Sequence, residues 1–402
     1  MKITYETHYK SKREDGRHTS TMAAFMEKLR NAERALKYPE CTDIGAFTVW
    51  KEALKNKIAE LLNLPDFTEQ PEPKKLHTAQ RDGYRVEKWE FYPDDYTAVP
   101  FLVLIPDIAT KENPVPGVLC LPGSIHSKEF ISGEPLLDMP KCSFQKYPER
   151  NRMAKYVVQN GMVAFAFDNP ETAECALDIE RDDDWGYTSR KQLCFGLLSN
   201  GDSYFGLSLF QKLCFMKWLH IFEYVDLDRL AACAHSLGAD DAMYLGLFCD
   251  EIKAVVFNDF VNNEQHTYFS ITEYDETQMS QDVGNWHTIP GQFRYYNRVD
   301  VLCALAPKYL ALNEGGAEYF LDMIRSAYSL HGASDRLQIT HYPKYQEPES
   351  RCKTYMPPKH SLDVDDHFAY YNVDAPDHSF REVPSINLLK KALDTENNNQ
   401  KE

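Results

Sequence analysis

The stretch RLAACAHSLGADDAMYLGLF, from Arg229 to Phe248, decides the fold class. It begins with apolar residues typical of a short buried strand, ends with apolar residues at helical spacing, and joins the two through small or tightly turning residues. A serine on such a sharp corner points out of the sheet, so Ser236 is a candidate nucleophile. The pattern small-x-Ser-x-Gly alone is weak evidence, because chance produces it on the order of 0.3 times in a chain of about 400 residues.

Beyond Pro116, short apolar runs end in Gly, Pro, Asn, Asp or Glu, and helical stretches lie between most of them. These runs are GVLCLPG, GMVAFAFDNP, RLAACAHS, IKAVVFND, KYLALNEGG and LQITHYP. Strands that are apolar on both faces and alternate with helices predict an α/β fold with a mostly parallel central sheet, covered by helices on both faces. Ligands of such sheets bind at the carboxyl ends of the strands.

The region before this sheet has a different pattern. Apolar residues at three- and four-residue spacing predict amphipathic helices from about Thr19 to Leu64, followed by the Pro- and charge-rich connector PDFTEQPEPKK. YRVEKWEFYP and AVPFLVLIP then predict two antiparallel strands. We therefore divide the chain into a helical N-terminal extension (1–75), an α/β catalytic domain (76–395) and a disordered tail (396–402).

Composition and charge exclude several classes of protein. The 402 residues are 43% hydrophobic and 26% charged, which indicates a globular chain, and they include no apolar run long enough for a membrane span. The net charge of −17 disfavours nucleic acid and anionic membranes as partners. The start lacks the pattern of a secretory signal, and the cysteines form no C-x-x-C pair, so we expect free thiols and a cytoplasmic location unless a leader has been removed. The pattern does not predict the oligomeric state.

Three segments in a consistent order carry the residue types that a serine nucleophile needs. A serine hydroxyl requires an imidazole to take its proton, a carboxylate to orient that imidazole, and N–H groups to hold the oxyanion. Ser236 follows one predicted strand, YLALNEGGAEYF places carboxylates at the end of a later strand, and NVDAPDHSF places His378 after the last strand. The order serine, acid, histidine is that of one known hydrolase plan.

With these residues in view, the chain resembles the α/β-hydrolase family. The similarity is greatest to the bacterial acetyl-xylan-esterase-like branch related to dienelactone hydrolases. It extends from roughly Tyr84 to Leu393 and is carried by LPGS with KEF and GEP after it, by HSLG, by NEGG before an aromatic helix, and by DAPDHSF. An ordered set of this kind is far more specific than any single motif.

The resemblance implies roles for individual residues. Ser236 would be the nucleophile and His378 the general base. The oxyanion hole would be formed by the backbone N–H groups of Gly123, Ser124 and Leu237. One position departs from the family pattern, since Ala234 stands where the first glycine of G-x-S-x-G is usual. The methyl group of alanine adds little volume at this position, so we expect the turn to form and to present Ser236 as in the family.

Three carboxylates are candidates for the acid. The family commonly places it three residues beyond a glycine that closes the seventh strand, and the spacing from Gly315 to Glu318 fits, so Glu318 is our choice. Glu314 lies nearer the strand end, but it could instead bond the N–H groups of the following glycine turn. Asp259, after the preceding strand, is the third candidate, and a carboxylate capping a loop is the simpler interpretation of it.

The other histidines give weaker signals. His235 is expected to be structural, with its ring turned away from the pocket floor. His126 either touches substrate or lies in a solvated loop. His360 and His367 stand near several aspartates, but their spacing in a Pro-containing loop is a poor metal signature. We therefore predict no metal and no organic cofactor.

The resemblance also implies a substrate class, namely small acyl groups, acetyl above all, on sugars or xylan-type glycans. The run ERDDDWGY could line a sugar pocket, with Trp185 and Tyr187 stacking on sugar faces, or could be solvated surface. Two alternative functions remain open: an oligopeptidase-like serine hydrolase, and a glycan-binding protein that kept the fold without turnover. The presence of serine, histidine and acid in order disfavours the second alternative.

Overall fold

The central sheet contains nine strands within the part of the chain that the structure describes. The structure, a computed structural model, describes residues 10–135, 150–177, 187–265, 285–354 and 364–394. The strands are β1 (Lys74–Gln80), β2 (Tyr84–Phe91), β3 (Val99–Pro106), β4 (Val115–Leu121), β5 (Val163–Phe167), β6 (Val225–His235), β7 (Ile252–Asn258), β8 (Tyr309–Leu312) and β9 (Leu337–Ile339). Their order across the sheet is β1-β2-β3-β5-β4-β6-β7-β8-β9.

The direction of the strands divides the sheet into two parts. Neighbouring strands pair antiparallel from β1 through β2 and β3 to β5. In the rest of the sheet, from β5 through β4, β6, β7 and β8 to β9, neighbouring strands pair parallel. The predicted mostly parallel sheet is therefore confirmed. Its parallel part brings the carboxyl ends of β4 to β8 to one edge, where a ligand site is expected.

Helices cover both faces of this sheet. They are α1 (Thr21–Arg30), α2 (Ile44–Leu62), α3 (Lys128–Ser132), α4 (Met153–Gln159), α5 (Tyr187–Asn200), α6 (Tyr204–Met216), α7 (Leu237–Phe248), α8 (Arg298–Ala304), α9 (Glu318–Leu330), α10 (Val364–Tyr370) and α11 (Glu382–Ala392). Successive residues of one strand belong to different apolar clusters: Val118 packs with α3, α4 and α11, while Leu119 packs with α2, α6, α7, α8 and α9. Burial on both faces explains the uninterrupted apolar runs of the sequence.

The N-terminal helices share one of these two clusters. Leu54, Ile58 and Leu62 of α2 are buried in the same core as the strands. The segment between α1 and α2 is also tied to the sheet domain, because the Tyr38 N–H donates to Asp300 Oδ1 at 2.7 Å. The helical extension therefore packs on the α/β part of the chain.

Strand β1 is the element that the sequence pattern misses. Its side chains are almost all exposed, and the connector before it is rich in proline and charge, so no apolar alternation marks it. It lies at the edge of the sheet, where polar side chains are common. Among the described residues, no helix is long and apolar enough to cross a membrane. The described cysteines are free thiols.

Candidate active site

Ser236 lies on the predicted turn between β6 and α7. Its φ of 53° and ψ of −123° are a backbone conformation that side-chain-bearing residues rarely adopt. The Ser236 N–H donates to the Asn258 carbonyl at 3.0 Å, which ties the turn to the end of β7. Gly238 is needed because a Cβ there would lie 2.4 Å from the Leu121 carbonyl oxygen. Ala234 is fully buried and is accommodated in the turn.

The segment after β4 approaches this serine. A Cβ added to Gly123 would lie 3.3 Å from the Cβ of Ser236, a tight contact, so the glycine eases the close approach of the two segments. The Asn169 amide nitrogen donates to the carbonyls of Pro122 and Gly123, both at 3.0 Å. In a trans peptide the N–H points away from the carbonyl, so the N–H groups of Gly123 and Ser124 point away from Asn169.

Leu237 supplies the third predicted N–H group. It is the first residue of α7, so its N–H has no acceptor within the helix and lies at the positive end of the helix dipole. Leu237 directly follows Ser236, and the segment at Gly123 approaches Ser236 from the end of β4. The three N–H groups predicted for the oxyanion hole thus belong to segments in contact with the candidate nucleophile.

Asn169 and Arg190 hold the segment after β4, and the sequence interpretation did not single out either. Asn169 follows β5 in the run FDNP, where an Asn at a strand end was the only available signal. Arg190, from α5, is buried, and its Nη1 donates to the Ser124 carbonyl at 2.9 Å. Its guanidinium also lies over the Trp286 ring, 4.5 Å from the centroid.

His378 is held by a carboxylate at the end of β8. The His378 Nδ1 lies 2.5 Å from Glu314 Oε2, and the other oxygen of Glu314 accepts the Ser379 N–H at 2.9 Å. A carboxylate can only accept, so the Nδ1 of His378 carries the hydrogen of this bond. The His378 ring also lies next to the turn, since its centroid is 4.6 Å from that of His235, the residue before Ser236.

The surroundings of His378 change its pKa. Burial favours the neutral ring, but the negative charge of Glu314 and its hydrogen bond, with a smaller contribution from Asp259, outweigh burial and raise the pKa of His378 to about 9. Arg381 acts in the opposite direction. The side chain is 31% exposed, whereas that of Glu314 is fully buried. The imidazole of His378 is therefore partly open to solvent, whereas the carboxylate of Glu314 is not.

The structure does not place Glu318 against His378, which corrects our choice among the three carboxylates. Glu318 begins α9, beyond the glycine turn, and its oxygens pair with Arg325 and Arg351, each at 3.1 Å. Burial would raise the pKa of Glu318, but these arginines lower it below its ordinary value. Glu314, the rival in the sequence analysis, occupies the position beside the histidine instead.

Asp259, the third candidate, is paired with a buried arginine. Its Oδ2 accepts from Arg298 Nη1 at 3.2 Å, and its Oδ1 accepts the Phe260 N–H at 2.9 Å. Burial raises the pKa of Asp259, and Arg298 opposes that rise. Arg298 also makes two bonds to Asp240, at 2.9 and 2.8 Å. Asp259 therefore contributes negative charge near His378 but has a different hydrogen-bond partner.

His235 and His126 line the interior behind the turn. The His235 ring is buried, and its Nδ1 lies 3.0 Å from the Asn258 amide nitrogen, as suits the structural position predicted for it. His126 is 7% exposed and stacks on Phe130, so it is not a solvated loop residue. Burial is the main cause that lowers the pKa of His126 to about 4, which keeps this ring neutral. A contact of His126 with substrate stays a prediction.

The described residues contain one group with metal-ligand chemistry. Ligand atoms of His235, Glu314 and His378 lie within 4.8 Å of one another. Both Glu314 oxygens, His378 Nδ1 and His235 Nδ1 also take part in hydrogen bonds. His367 is buried against the Tyr371 ring, with centroids 5.0 Å apart, and burial lowers its pKa to about 4.

Some predicted residues lie outside the described part of the chain. These are His360, Trp185, the tail from 396 to 402, and most of the acidic run ERDDDWGY. Tyr187 begins α5, but its side chain is not described. Sugar stacking by Trp185 and Tyr187 therefore stays a prediction, and the expectation that His360 holds no metal is not tested.

Comparison with known proteins gives the same fold. The model of the abhydrolase family matches residues 3–391, which is nearly the whole chain. The chain belongs to the abhydrolase family. The predicted resemblance to α/β-hydrolases is confirmed, and the match includes the N-terminal helices as well as the sheet. No curated protein sequence matches this abhydrolase significantly.

Solved structures refine this assignment. A candidate acetyl xylan esterase from Bacteroides fragilis is 34% identical, with a TM-score of 0.87 over 96% of this chain and 99% of that one. A methylesterase is 13% identical, with a TM-score of 0.56 over 96% of this chain and 77% of that one. A glucuronoyl esterase from Solibacter usitatus is 12% identical, with a TM-score of 0.50 over 79% and 94%. The first match confirms the acetyl-xylan-esterase-like branch, and the other two share the fold.

Proposed function

We propose that this abhydrolase is a serine carboxylic-ester hydrolase that acts through an acyl-enzyme and removes acetyl groups from sugar or glycan esters. The observation that carries the proposal is the 2.5 Å bond between His378 Nδ1 and Glu314 Oε2, in a ring that lies beside the turn of Ser236. This bond fixes the ring so that Nε2 is free to exchange a proton with substrate or nucleophile.

The mechanism follows from these positions. His378 Nε2 takes the proton of Ser236 Oγ while the oxygen attacks the ester carbonyl, and the N–H groups of Gly123, Ser124 and Leu237 stabilise the oxyanion. His378 then gives the proton to the departing alcohol, which leaves an acetyl group on Ser236. Water repeats the sequence with His378 as base and releases acetate. The negative charge of Glu314 stabilises the imidazolium that forms in both halves.

The acyl group and the alcohol are inferred from similarity. The Bacteroides fragilis relative, a candidate acetyl xylan esterase, is similar over almost its whole length. A fold alone does not determine the substrate, so this part of the proposal depends on that single relative.

A panel of substrates tests the proposal. We expect hydrolysis of p-nitrophenyl acetate and acetylated xylan. The kcat/KM for p-nitrophenyl butyrate should be lower by about 10²-fold, because butyrate has two more methylene groups and each costs about 10-fold in an enzyme selective for acetyl groups. Peptide p-nitroanilides should not be cleaved. Faster cleavage of the peptides than of the esters would instead establish an oligopeptidase-like enzyme. Binding of xylan oligomers without turnover of any ester would establish a glycan-binding protein.

The pH dependence of hydrolysis should be shifted to alkaline values. A general base must be neutral to accept a proton, and the pKa of His378 is raised to about 9 by Glu314 against the effect of burial. The charged groups around the ring are Glu314, Asp259 and Arg381, and the neighbouring His235 is neutral. We therefore expect kcat/KM to rise with pH through about 9, above the ordinary histidine value. A profile that is already flat from pH 6 would contradict this assignment of the base.

A further inference from the structure

The loop that carries His378 is held by hydrogen bonds to each of the three peptide groups between His378 and Arg381. The Ser379 N–H donates to Glu314 at 2.9 Å, and the Phe380 N–H donates to Asn151 Oδ1 at 2.8 Å. The two ends of the Asn258 amide hold the rest: its nitrogen donates to the Ser379 carbonyl at 3.1 Å, and its oxygen accepts the Arg381 N–H at 2.8 Å. The Asn258 side chain thus binds two peptide groups of the loop, one through its nitrogen and one through its oxygen.

Asn258 also touches the turn that carries Ser236. Its backbone carbonyl accepts the Ser236 N–H at 3.0 Å, and its amide nitrogen lies 3.0 Å from His235 Nδ1. The residue ends β7, between the strands that lead to Ser236 and to Glu314, and it is 0% exposed. One buried side chain and its own carbonyl therefore contact the segments of both the proposed nucleophile and the proposed base.

We propose that Asn258 is a positioning residue that holds the His378 loop in register with the Ser236 turn. This inference rests on the proposed function. The amide is the required group, because it must donate to the Ser379 carbonyl and accept from the Arg381 N–H at the same time. Aspartate offers no donor for that carbonyl, and leucine offers neither group. Misplacement of a catalytic group by about 1 Å costs on the order of 10²-fold in rate.

The neighbouring strand supplies a matched control. Asn313 is also a fully buried asparagine just beyond a strand end, and its amide nitrogen donates to Ser385 Oγ at 2.8 Å. Within the described residues, no hydrogen bond joins the Asn313 side chain directly to the peptide groups of the His378 loop. Replacement of Asn313 by alanine removes a buried amide whose link to the loop is indirect, through Ser385 Oγ to the Arg381 carbonyl, so its effect measures the cost of losing a buried amide without a direct bond to the loop.

The experiment compares Asn258→Ala with Asn313→Ala in the full chain. We expect Asn258→Ala to lower kcat on p-nitrophenyl acetate by about 10²-fold with KM changed by less than about threefold, and to slow labelling of Ser236 by a fluorophosphonate equally. Asn313→Ala should keep both rates near those of the wild type, even where the two variants lose similar thermal stability.

Each outcome decides the inference. A wild-type kcat in Asn258→Ala, or an equal loss in Asn313→Ala, would overturn the positioning role. Where Asn258→Ala does not fold, Asn258→Ser, which is small and keeps a hydroxyl, gives the decision by the same two rates. Failure of the proposed function itself has a different signature, since the wild-type protein would then show no labelling of Ser236.

Discussion

Replacement of Ser236 by alanine should abolish ester hydrolysis and fluorophosphonate labelling. The substitution removes only the hydroxyl group, and the proposed acyl-enzyme cannot form without its oxygen. Loss of the serine in comparable enzymes lowers kcat by on the order of 10⁶-fold. The rate that remains is still about 10³-fold above that of the reaction in water, because the oxyanion N–H groups and substrate binding are retained. The measurement is kcat on p-nitrophenyl acetate together with mass spectrometry of the labelled protein.

Two further variants make this test specific. Ser199→Ala removes an exposed serine whose hydroxyl donates to the Phe195 carbonyl, and it should leave labelling and turnover unchanged. Ser236→Gly should be as inactive as Ser236→Ala but more stable, because glycine relieves the strain of a φ of 53° and a ψ of −123°, which amounts to about 1–3 kcal/mol. Labelling that persists in Ser236→Ala would place the nucleophile elsewhere.

The parallel sheet could be predicted from the sequence because burial on both faces leaves a simple mark. The strands from β4 to β9 read as apolar runs that end in turn residues, and their alternation with helices determines a parallel arrangement. The edge strand β1 could not be predicted in this way. Its exposed residues carry no apolar period, and its pairing with β2 is made by backbone groups that are the same in every sequence.

Two residues of the candidate site could be predicted because a turn signal follows a strand in their local sequence. Ser236 and His378 stand in turns that the sequence marks clearly, and the structure brings the two segments together. The choice of Glu318 failed because family spacing counts residues beyond a glycine, whereas the direction of a carboxylate depends on its partners in three dimensions. Arg325, two turns further along α9, and Arg351, 33 residues beyond Glu318, both pair with Glu318, and the proximity of Arg351 cannot be derived from sequence spacing.

The two asparagines that hold the segments around Ser236 were missed for a related reason. Asn169 and Asn258 each stand at a strand end, where asparagine is common and usually only terminates the strand. Their importance lies in bonds to backbone groups more than forty residues away, such as that of Asn169 to the Pro122 carbonyl. Backbone acceptors have no sequence signature, so a side chain that binds them gives no signal before the fold is known.

Replacement of Glu314 by glutamine should lower kcat by about 10⁴-fold, the size seen when the carboxylate of such a triad becomes an amide. Glu314 accepts from both His378 Nδ1 and the Ser379 N–H, so an amide nitrogen must face one of these two donors. The charge that raises the pKa of His378 also disappears, while burial remains. The residual activity should therefore show an acidic limb at lower pH than in the wild type.

Glu318→Gln is the matched control, since it makes the same chemical change four positions along the chain. Glu318 pairs with Arg325, Arg351 and His341 outside the hydrogen bonds of His378, so the loss of its charge should change kcat by less than about threefold and leave the pH profile in place. Asp259→Asn should have a smaller effect on the pH profile than Glu314→Gln, because its carboxylate contributes charge without a bond to the ring. A large loss in Glu318→Gln with near-normal turnover in Glu314→Gln would reverse the assignment of the acid, since the pairing seen at His378 would then not be the one that supports catalysis.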